Sequence, residues 1–372
     1  MKVGIDTFGL DHGRSGLGSY LLSLLPVLPK DDDIEYRLFG SEMDRYTFTG
    51  ERGIPFESVS VPDSLNAERL WHTFNANTFA RRHKYDVVFF ASGSRMLPVR
   101  NKVPSVAVVN DILSTVLSSY DYLSASMLKK ALNRASYIIC ASNYIKKDLI
   151  RSGIRSNNIE VIHNGINHSM FFPVQHDSTS DGIVDIKPFA IKRPYFIYAS
   201  RMTGPEKKHV ELIKAFTAFK EKTKLPYRLV IAGSESKYGE EVHKAVFNSS
   251  AASDIFLTGF FPHESFPELY RNAEACIFPS VNEGVGLPVL EAMACGIPVL
   301  CSSSGALGEM AGNNAIFFDS DNIDEMESCM ERIVEDKDLK EKLIAGAVEW
   351  VSRYTWEKTA SKTMEIIRKV SR

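Results

Sequence analysis

At 372 residues the chain is too long for one hydrophobic core, and two or three domains are expected. Its 44% hydrophobic and 24% charged residues match a globular protein and exclude a disordered or fibrous one. A formal net charge of −2 gives no reason for a polyanionic partner, so nucleic acid is not expected.

In chain order, the short apolar runs 3–5, 87–90, 105–109, 137–140 and 159–162 read as strands. The stretches 17–28, 66–83, 121–134 and 142–152 read as helices between them, the last with Ser142 as its N-cap. A second series follows, with strands at 195–199, 228–232, 255–257, 275–278 and 298–301. Its helices are expected at 209–222, 239–250, 264–272 and 288–295. Strands alternating with helices predict an α/β fold of parallel sheets with right-handed crossovers.

Between the two series lies a stretch with Pro173, Pro188 and Pro194, several Asp and Ser residues, and no sustained period. It reads as an interdomain linker. The expected organisation is a Rossmann-like domain at 1–172, a linker at 173–194, a second Rossmann-like domain at 195–355 and a terminal helix at 356–372. Two doubly wound halves would leave a cleft facing the carboxyl ends of both sheets, where ligands of such folds bind.

Five scattered cysteines (Cys140, Cys276, Cys295, Cys301 and Cys329) show no CxxC spacing, which argues against a disulfide framework or zinc knuckle and for a reducing cytoplasm. The N-terminus becomes strand-like at once and has no signal-peptide layout. The apolar runs fall short of the ~20 residues that span a bilayer.

The chemistry concentrates in residues 279–299, PSVNEGVGLPVLEAMACGIPV. A loop with Gly284 and Gly286 meets Pro288, a favoured first residue of a helix, and Gly296 ends that helix. Such a loop delivers a ligand to a helix N-terminus, where free N–H groups and the helix dipole attract an anion. Glu283 at the loop mouth and Glu291 near the first turn cannot both assist a phosphate, because like charges repel. They suit hydroxyl groups flanking it, a sugar on one side and a ribose on the other. Taken singly, either glutamate is equally a helix-terminus residue and the glycines a plain turn; the combination points to a ligand.

This segment resembles the donor-site signature of the group 1 (family 4) retaining glycosyltransferases of the GT-B fold, two Rossmann-like domains facing a cleft. The resemblance implies that Glu283 contacts the donor sugar, Glu291 the ribose, and Gly286 with Leu287 the diphosphate. The family often has an aromatic residue where Val285 stands. A diphosphate leaving group needs its developing charge stabilised, and residues 200–209, SRMTGPEKKH, offer Arg201 and Lys207 after a strand. Either alone is more simply a solvated basic loop. The family has its arginine and lysine there, so Arg201, Lys207 and Glu283 are the catalytic expectation, with Lys208 a solvent-facing neighbour.

The resemblance extends over nearly the whole chain. Residues 161–172 look like the turn before the family's linker, and 257–270, with Gly259, like the strand and turn that cradle the base. Residues 305–312 follow the donor loop, where Glu309 would support the phosphate-loop geometry. Residues 354–356 precede a helix that in this fold crosses back to the first domain.

On the acceptor side, Gly16 and Gly18 in HGRSGLGSY lack the third glycine of a dinucleotide fingerprint, which disfavours a Rossmann dehydrogenase. In the family this loop approaches donor phosphate and acceptor, so Gly16 and Gly18 are carried over, with His12 and Arg14 as acceptor candidates. Asn110 and Asp111 stand where many members have His-Asp. Asn110 cannot take a proton as imidazole does, but can hydrogen-bond a sugar hydroxyl. Asp111 serves as a local base, an acceptor ligand or a cap for the next helix.

No metal is expected: Asp319-Ser320-Asp321 falls in a loop past the donor segment, and the nine histidines show no ligand spacing. The expected function is transfer of a hexosyl group from a nucleoside diphosphate sugar (UDP- or GDP-sugar), without further cofactor, to a hydroxyl of a glycan or lipid-linked glycan. Retention of configuration and a role in surface polysaccharide biosynthesis follow from the resemblance only. The alternatives are a non-catalytic GT-B nucleotide-sugar-binding or partner subunit, for which Asn110 speaks, and a sugar-nucleotide epimerase of the same architecture. The expected location is cytoplasmic, with peripheral membrane contact through the apolar run 17–28 or the basic cluster 81–84 as the less favoured reading of those segments.

Overall fold

The computed structural model describes residues 1–50, 52–174, 182–186 and 189–371, which divide into two units. The first comprises Met1–Gly165 together with Tyr354–Arg372. Its strands are β1 (Lys2–Asp6), β2 (Glu35–Gly40), β3 (Phe56–Ser58), β4 (Val87–Phe90), β5 (Ser105–Val109), β6 (Tyr137–Cys140) and β7 (Ile159–Val161). They pair in parallel in the order β3-β2-β1-β4-β5-β6-β7. Every residue of β4, β5 and β6 is buried, as continuous β-branched and aromatic runs covered on both faces must be.

Strands β2 and β3 lie beyond the sequence reading: β2 carries Glu35 and Arg37 among its apolar residues, and β3 is only three residues long. The run 17–28 is core rather than a lipid-facing surface, with Leu17, Tyr20, Leu21, Leu24, Leu25 and Leu28 all buried. Its α-helix stops at Leu24 and tightens to a 3₁₀ turn at Pro26, which cannot continue the ladder. The expected helix 66–83 is two, Leu65–Phe74 and Ala76–Arg82, meeting at Asn75. Ser142 caps its helix as expected, accepting from Ile145 N at 3.1 Å.

The terminal helix Trp356–Val370 belongs to this first unit and buries Ala360, Met364 and Ile367 in its core. Thr355 caps it, and Thr359 donates to the His163 carbonyl at 2.8 Å. A Cβ on Gly165 would lie 2.2 Å from Trp356 N, so only glycine admits the helix start.

The second unit is Ile166–Arg353. It opens with the antiparallel pair β8 (Ile183–Ile186) and β9 (Phe189–Lys192). Then come β10 (Tyr195–Ala199), β11 (Arg228–Ala232), β12 (Ile255–Gly259), β13 (Ala275–Phe278), β14 (Val299–Ser302) and β15 (Ile316–Phe318). These six form a parallel sheet in the order β12-β11-β10-β13-β14-β15. Within the stretch expected as a linker, residues 183–186 pair with 189–192 inside this unit, while Pro188 lies outside the described residues. The division falls after Gly165 because Arg271 ties the chain beyond it to this unit, donating to the carbonyls of Met170 (2.6 Å) and Phe172 (3.0 Å).

Strand order reverses beside β1 in one sheet and beside β10 in the other. Loops leaving the carboxyl ends of β1 and β4, and of β10 and β13, therefore flank the two places where a doubly wound sheet binds ligands.

Candidate active site

In the second unit the loops after β10 and β13 are fastened together. Val281 N donates to the Glu206 carbonyl at 2.9 Å, and the buried Tyr198 hydroxyl donates to the Lys207 carbonyl at 2.7 Å. Lys207 Nζ consequently meets Glu283 Oε2 at 2.9 Å, with the two side chains 19% and 18% exposed. A pair this sheltered is screened less by salt than a surface pair.

Glu283 is braced from β14 as well. Its carbonyl accepts from Ala306 N at 2.8 Å, and Gly305 takes φ 65° with no space for a Cβ, which would lie 2.4 Å from that carbonyl. Ser302 and Ser320 donate to the carbonyls of Ser280 and Pro279, both at 2.6 Å. No local pattern signals these hydroxyl ties, because each partner comes from a different strand end.

Gly286 caps the helix Leu287–Ala294 in the left-handed conformation, φ 73°. Pro288 has no N–H, and the first-turn amides of Leu287 and Val289 have no intrahelical acceptor, so the tip offers donors to an anion. Glu291 is the fifth helical residue, near the first turn. It is half-buried, no side chain of the described residues pairs with its carboxylate, and burial pushes it up to about 7.

Arg201 lies on the loop after β10, exposed and without a side-chain partner among the described residues. That loop is held by Met202 N donating to Ser234 O at 3.1 Å, and by buried His209, whose ring nitrogen lies 3.4 Å from Ser200 O. Burial lowers His209 to about 4, so it stays neutral there. Gly259 ends β12 at φ 66°, and its carbonyl accepts from Gly233 N at 2.9 Å. Glu309 sits in the helix Leu307–Ala311 beside the bracing turn.

Lys208 is a correction: it is 14% exposed rather than solvent-facing, and reaches Asp321 and Glu211. Asp321 is thereby an ion-pair partner. No group of three His, Cys, Asp or Glu side chains fit for a metal occurs among the described residues.

The remaining expected residues gather in the first unit, after β1 and β5. Asp11 and His12 both take positive φ, 51° and 52°. His12 Nδ1 lies 2.7 Å from Asp44 Oδ1, a bond that raises its pKa, while burial raises that of Asp44. The Thr7 hydroxyl donates to the same carboxylate at 2.8 Å. Arg14 is exposed and has no side-chain partner among the described residues.

The two front glycines differ. A Cβ on Gly18 would lie 2.5 Å from Gly13 Cα and 2.6 Å from Leu10 O, so Gly18 serves close packing. A Cβ on Gly16 would meet nothing within 4 Å.

Asp111 does not cap the following helix, whose N-cap Ile112 makes no side-chain bond; it accepts from Ser94 at 2.6 Å instead. Asn110 leaves its Nδ2 buried without a hydrogen-bond partner.

The sequence reading missed Asp6 and His72, both fully buried, with Nε2 2.8 Å from Oδ2. His72 Nδ1 lies 2.7 Å from Glu68 O, and Asp6 also accepts from Phe8 N at 3.1 Å. Burial alone would depress His72, but the charge and hydrogen bond of Asp6, with Glu68, outweigh it and raise the pKa. The two residues are 66 positions apart, and no local pattern links them.

Comparison with known proteins agrees with this fold. The model for "Glycosyl transferases group 1" matches residues 181–350, and that for "Glycosyltransferase Family 4" matches 14–170. The chain is 28% identical over 170 residues to O-antigen chain mannosyltransferase B of Escherichia coli, which covers 46% of this chain and 44% of that protein. It is 25% identical over 264 residues to the alpha-maltose-1-phosphate synthase of Mycolicibacterium smegmatis, covering 67% of each. The match to the mannosyltransferase thus spans less than half of that relative's length. Among solved structures, Anabaena HepE in complex with UDP and glucose superposes with a TM-score of 0.75 at 18% identity, over 99% of this chain and 100% of that one. With two parallel-sheet units, and with one family model matching 14–170 and the other 181–350, the chain belongs to the group 1 (family 4) glycosyltransferases of the GT-B fold.

Proposed function

We propose that this chain transfers a hexosyl group from a nucleoside diphosphate sugar to a hydroxyl of a glycan or lipid-linked glycan, with retention of configuration, in surface polysaccharide biosynthesis. The observation that carries the reading is the Lys207–Glu283 pair held at 2.9 Å beside a helix capped by left-handed Gly286. A diphosphate at the tip takes the amides of Leu287 and Val289, with Lys207 and the unpaired Arg201 neutralising the charge that grows as the glycosidic bond breaks. Glu283 orients Lys207 and accepts from sugar hydroxyls, and Glu291 accepts from those of the ribose. The acceptor proton goes to the departing phosphate on the same face.

Likeness to an O-antigen chain mannosyltransferase favours mannosyl donors and a polysaccharide acceptor, and a structural neighbour holding UDP keeps uridine donors in view. The test is a thermal-shift screen of UDP- and GDP-sugars, since a ligand of the folded state raises its apparent stability. One donor should raise the Tm clearly, and its product with a glycan acceptor should keep the donor's anomeric configuration. No shift with any donor, or an inverted product, would overturn the reading.

A further inference from the structure

Three loops at the carboxyl edge of the second sheet are tied into a ring, and one tie is made by a residue that the donor chemistry leaves unused. Val281 N, on the loop after β13, donates to the Glu206 carbonyl on the loop after β10. Ser320, after β15, donates to the Pro279 carbonyl on the same β13 loop. Lys208 closes the ring: its ammonium reaches Asp321 after β15 and lies 3.6 Å from Glu211 in the first turn of the helix His209–Thr223. The far end of that helix is tied in the same direction. Lys222 lies 3.3 Å from Glu327 and also pairs with Glu331, both on the helix Ile323–Glu335 that follows Asp321.

The backbone of Lys208 is strained. It takes φ 57° and ψ 31° at the N-cap of its helix, a left-handed conformation that crowds the Cβ of any residue but glycine. The turn is closed on both sides, with Lys208 N donating to Pro205 O and Leu212 N donating to Lys208 O, both at 3.0 Å. The reversal sends two neighbouring side chains to different loops, Lys207 to Glu283 and Lys208 to Asp321. Glycine would adopt this backbone more readily, so what the lysine adds is its ammonium.

We infer that Lys208 is a positioning residue: its pairing with Asp321 and Glu211 locks the loop after β10 to the loop after β15, and so fixes the approach of Lys207 to Glu283. A cation aimed at a departing diphosphate works in a narrow geometry, and slack of about 1 Å there can lower the rate by up to about 10²-fold. This rests on the glycosyl-transfer reading above.

The experiment is steady-state kinetics on the full chain with the UDP- or GDP-sugar selected by the thermal-shift screen, each variant assayed well below its own Tm. Lys208→Ala and Lys208→Gly should both lower kcat about tenfold, with a smaller change in donor KM. Equal losses in the two variants tie the effect to the ammonium, because glycine is at ease in the left-handed turn and alanine is not. Asp321→Ala should behave alike, and combining it with Lys208→Ala should lower kcat no further, since both open the same tie. Lys208→Arg keeps the cation and should recover most of the turnover. A merely structural role would lower the Tm and leave kcat alone. A kcat within about twofold of wild type in both Lys208→Ala and Lys208→Gly, or single losses that multiply in the double variant, would refute the inference. Hydrogen exchange needs no donor: Asp321→Ala leaves the turn's own residues intact, yet should speed exchange about tenfold at the amides of Lys207 and Leu212, which close on Gly204 and Lys208. Unchanged exchange there means that Lys208 locks nothing. Absence of turnover with every donor in the wild-type chain would instead sink the glycosyl-transfer reading.

Discussion

The carboxyl edges of the two sheets are built on different plans. Around β10 and β13 the edge combines the Lys207–Glu283 pair and the Lys208 pairs with Asp321 and Glu211 with the unpaired Arg201, a glycine-capped helix and a carboxyl group near neutrality. Around β1, β4 and β5 it is a web of linked charges, with Asp6 on His72, Asp44 on His12, and Asp111 among Ser94 and Arg95. Groups left unpaired wait for a ligand's charges, whereas groups already paired set shape. The second unit is therefore where substitutions should strike turnover, and the first where they should strike stability.

The sharpest break of that contrast lies at His72. His72→Ala leaves the Asp6 carboxylate buried without its partner, which typically costs about 3–5 kcal/mol. The midpoint of denaturant unfolding should fall accordingly; a change below about 1 kcal/mol would mean that the pair bears little of the fold. The pH dependence has a definite sign. The folded chain keeps the His72 proton to higher pH than the unfolded one, so its contribution is full below the ordinary histidine range near 6.5. It fades as pH rises through the raised value, and His72→Ala should abolish that component.

On the donor side, Arg201→Ala should leave the unfolding midpoint unchanged, because the side chain is exposed and holds nothing. Turnover should fall roughly 10²–10³-fold, the cost of losing one preorganised charge from a developing anion. A variant with near-normal kcat would remove Arg201 from the chemistry.

How much of this the residues disclosed follows the same division. The donor edge was readable because Glu283, Gly286, Pro288 and Glu291 fall within nine consecutive residues and their spacing is itself geometry. Lys207 could be placed beside them only through the resemblance; the hydrogen bond from Val281 to the Glu206 carbonyl that brings the two loops together joins distant segments. In the first unit Asp6 meets His72 across 66 positions and His12 meets Asp44 across 32, and such pairs leave no periodic trace. The apolar strands β4, β5 and β6 were legible from composition, whereas β2, with Glu35 and Arg37 among its residues, and three-residue β3 and β15 were not.

A smaller effect sharpens the role of Glu291. Burial holds its free-state pKa at about 7, and a carboxylate that accepts from ribose hydroxyls must be ionised. Below that pH a proton has to leave before the donor binds, so affinity should weaken about tenfold per pH unit and level off above it. Calorimetry between about pH 5.5 and 8 should show the slope, and Glu291→Gln should bind more weakly with no slope. A pH-independent wild-type affinity would mean that the carboxylate does not face the donor.

The smallest effects separate the glycine loops of the two edges. Gly286→Ala forces a side chain into the left-handed region, at about 1–2 kcal/mol, and sets its Cβ 3.1 Å from Met310 Cγ. It should lower both stability and donor affinity. Gly16 begins a helix at ordinary φ with no atom within 4 Å of an added Cβ, so Gly16→Ala should stabilise by about 0.4–1 kcal/mol through the unfolded chain. If its backbone meets substrate, as the family resemblance implies, the same methyl group should lower turnover while the Tm rises. Opposite movement of stability and activity in one variant cannot come from damage to the fold. Should turnover hold while the Tm climbs, Gly16 is no more than the first turn of a helix, and the substrate-facing part of that loop narrows to His12 and Arg14.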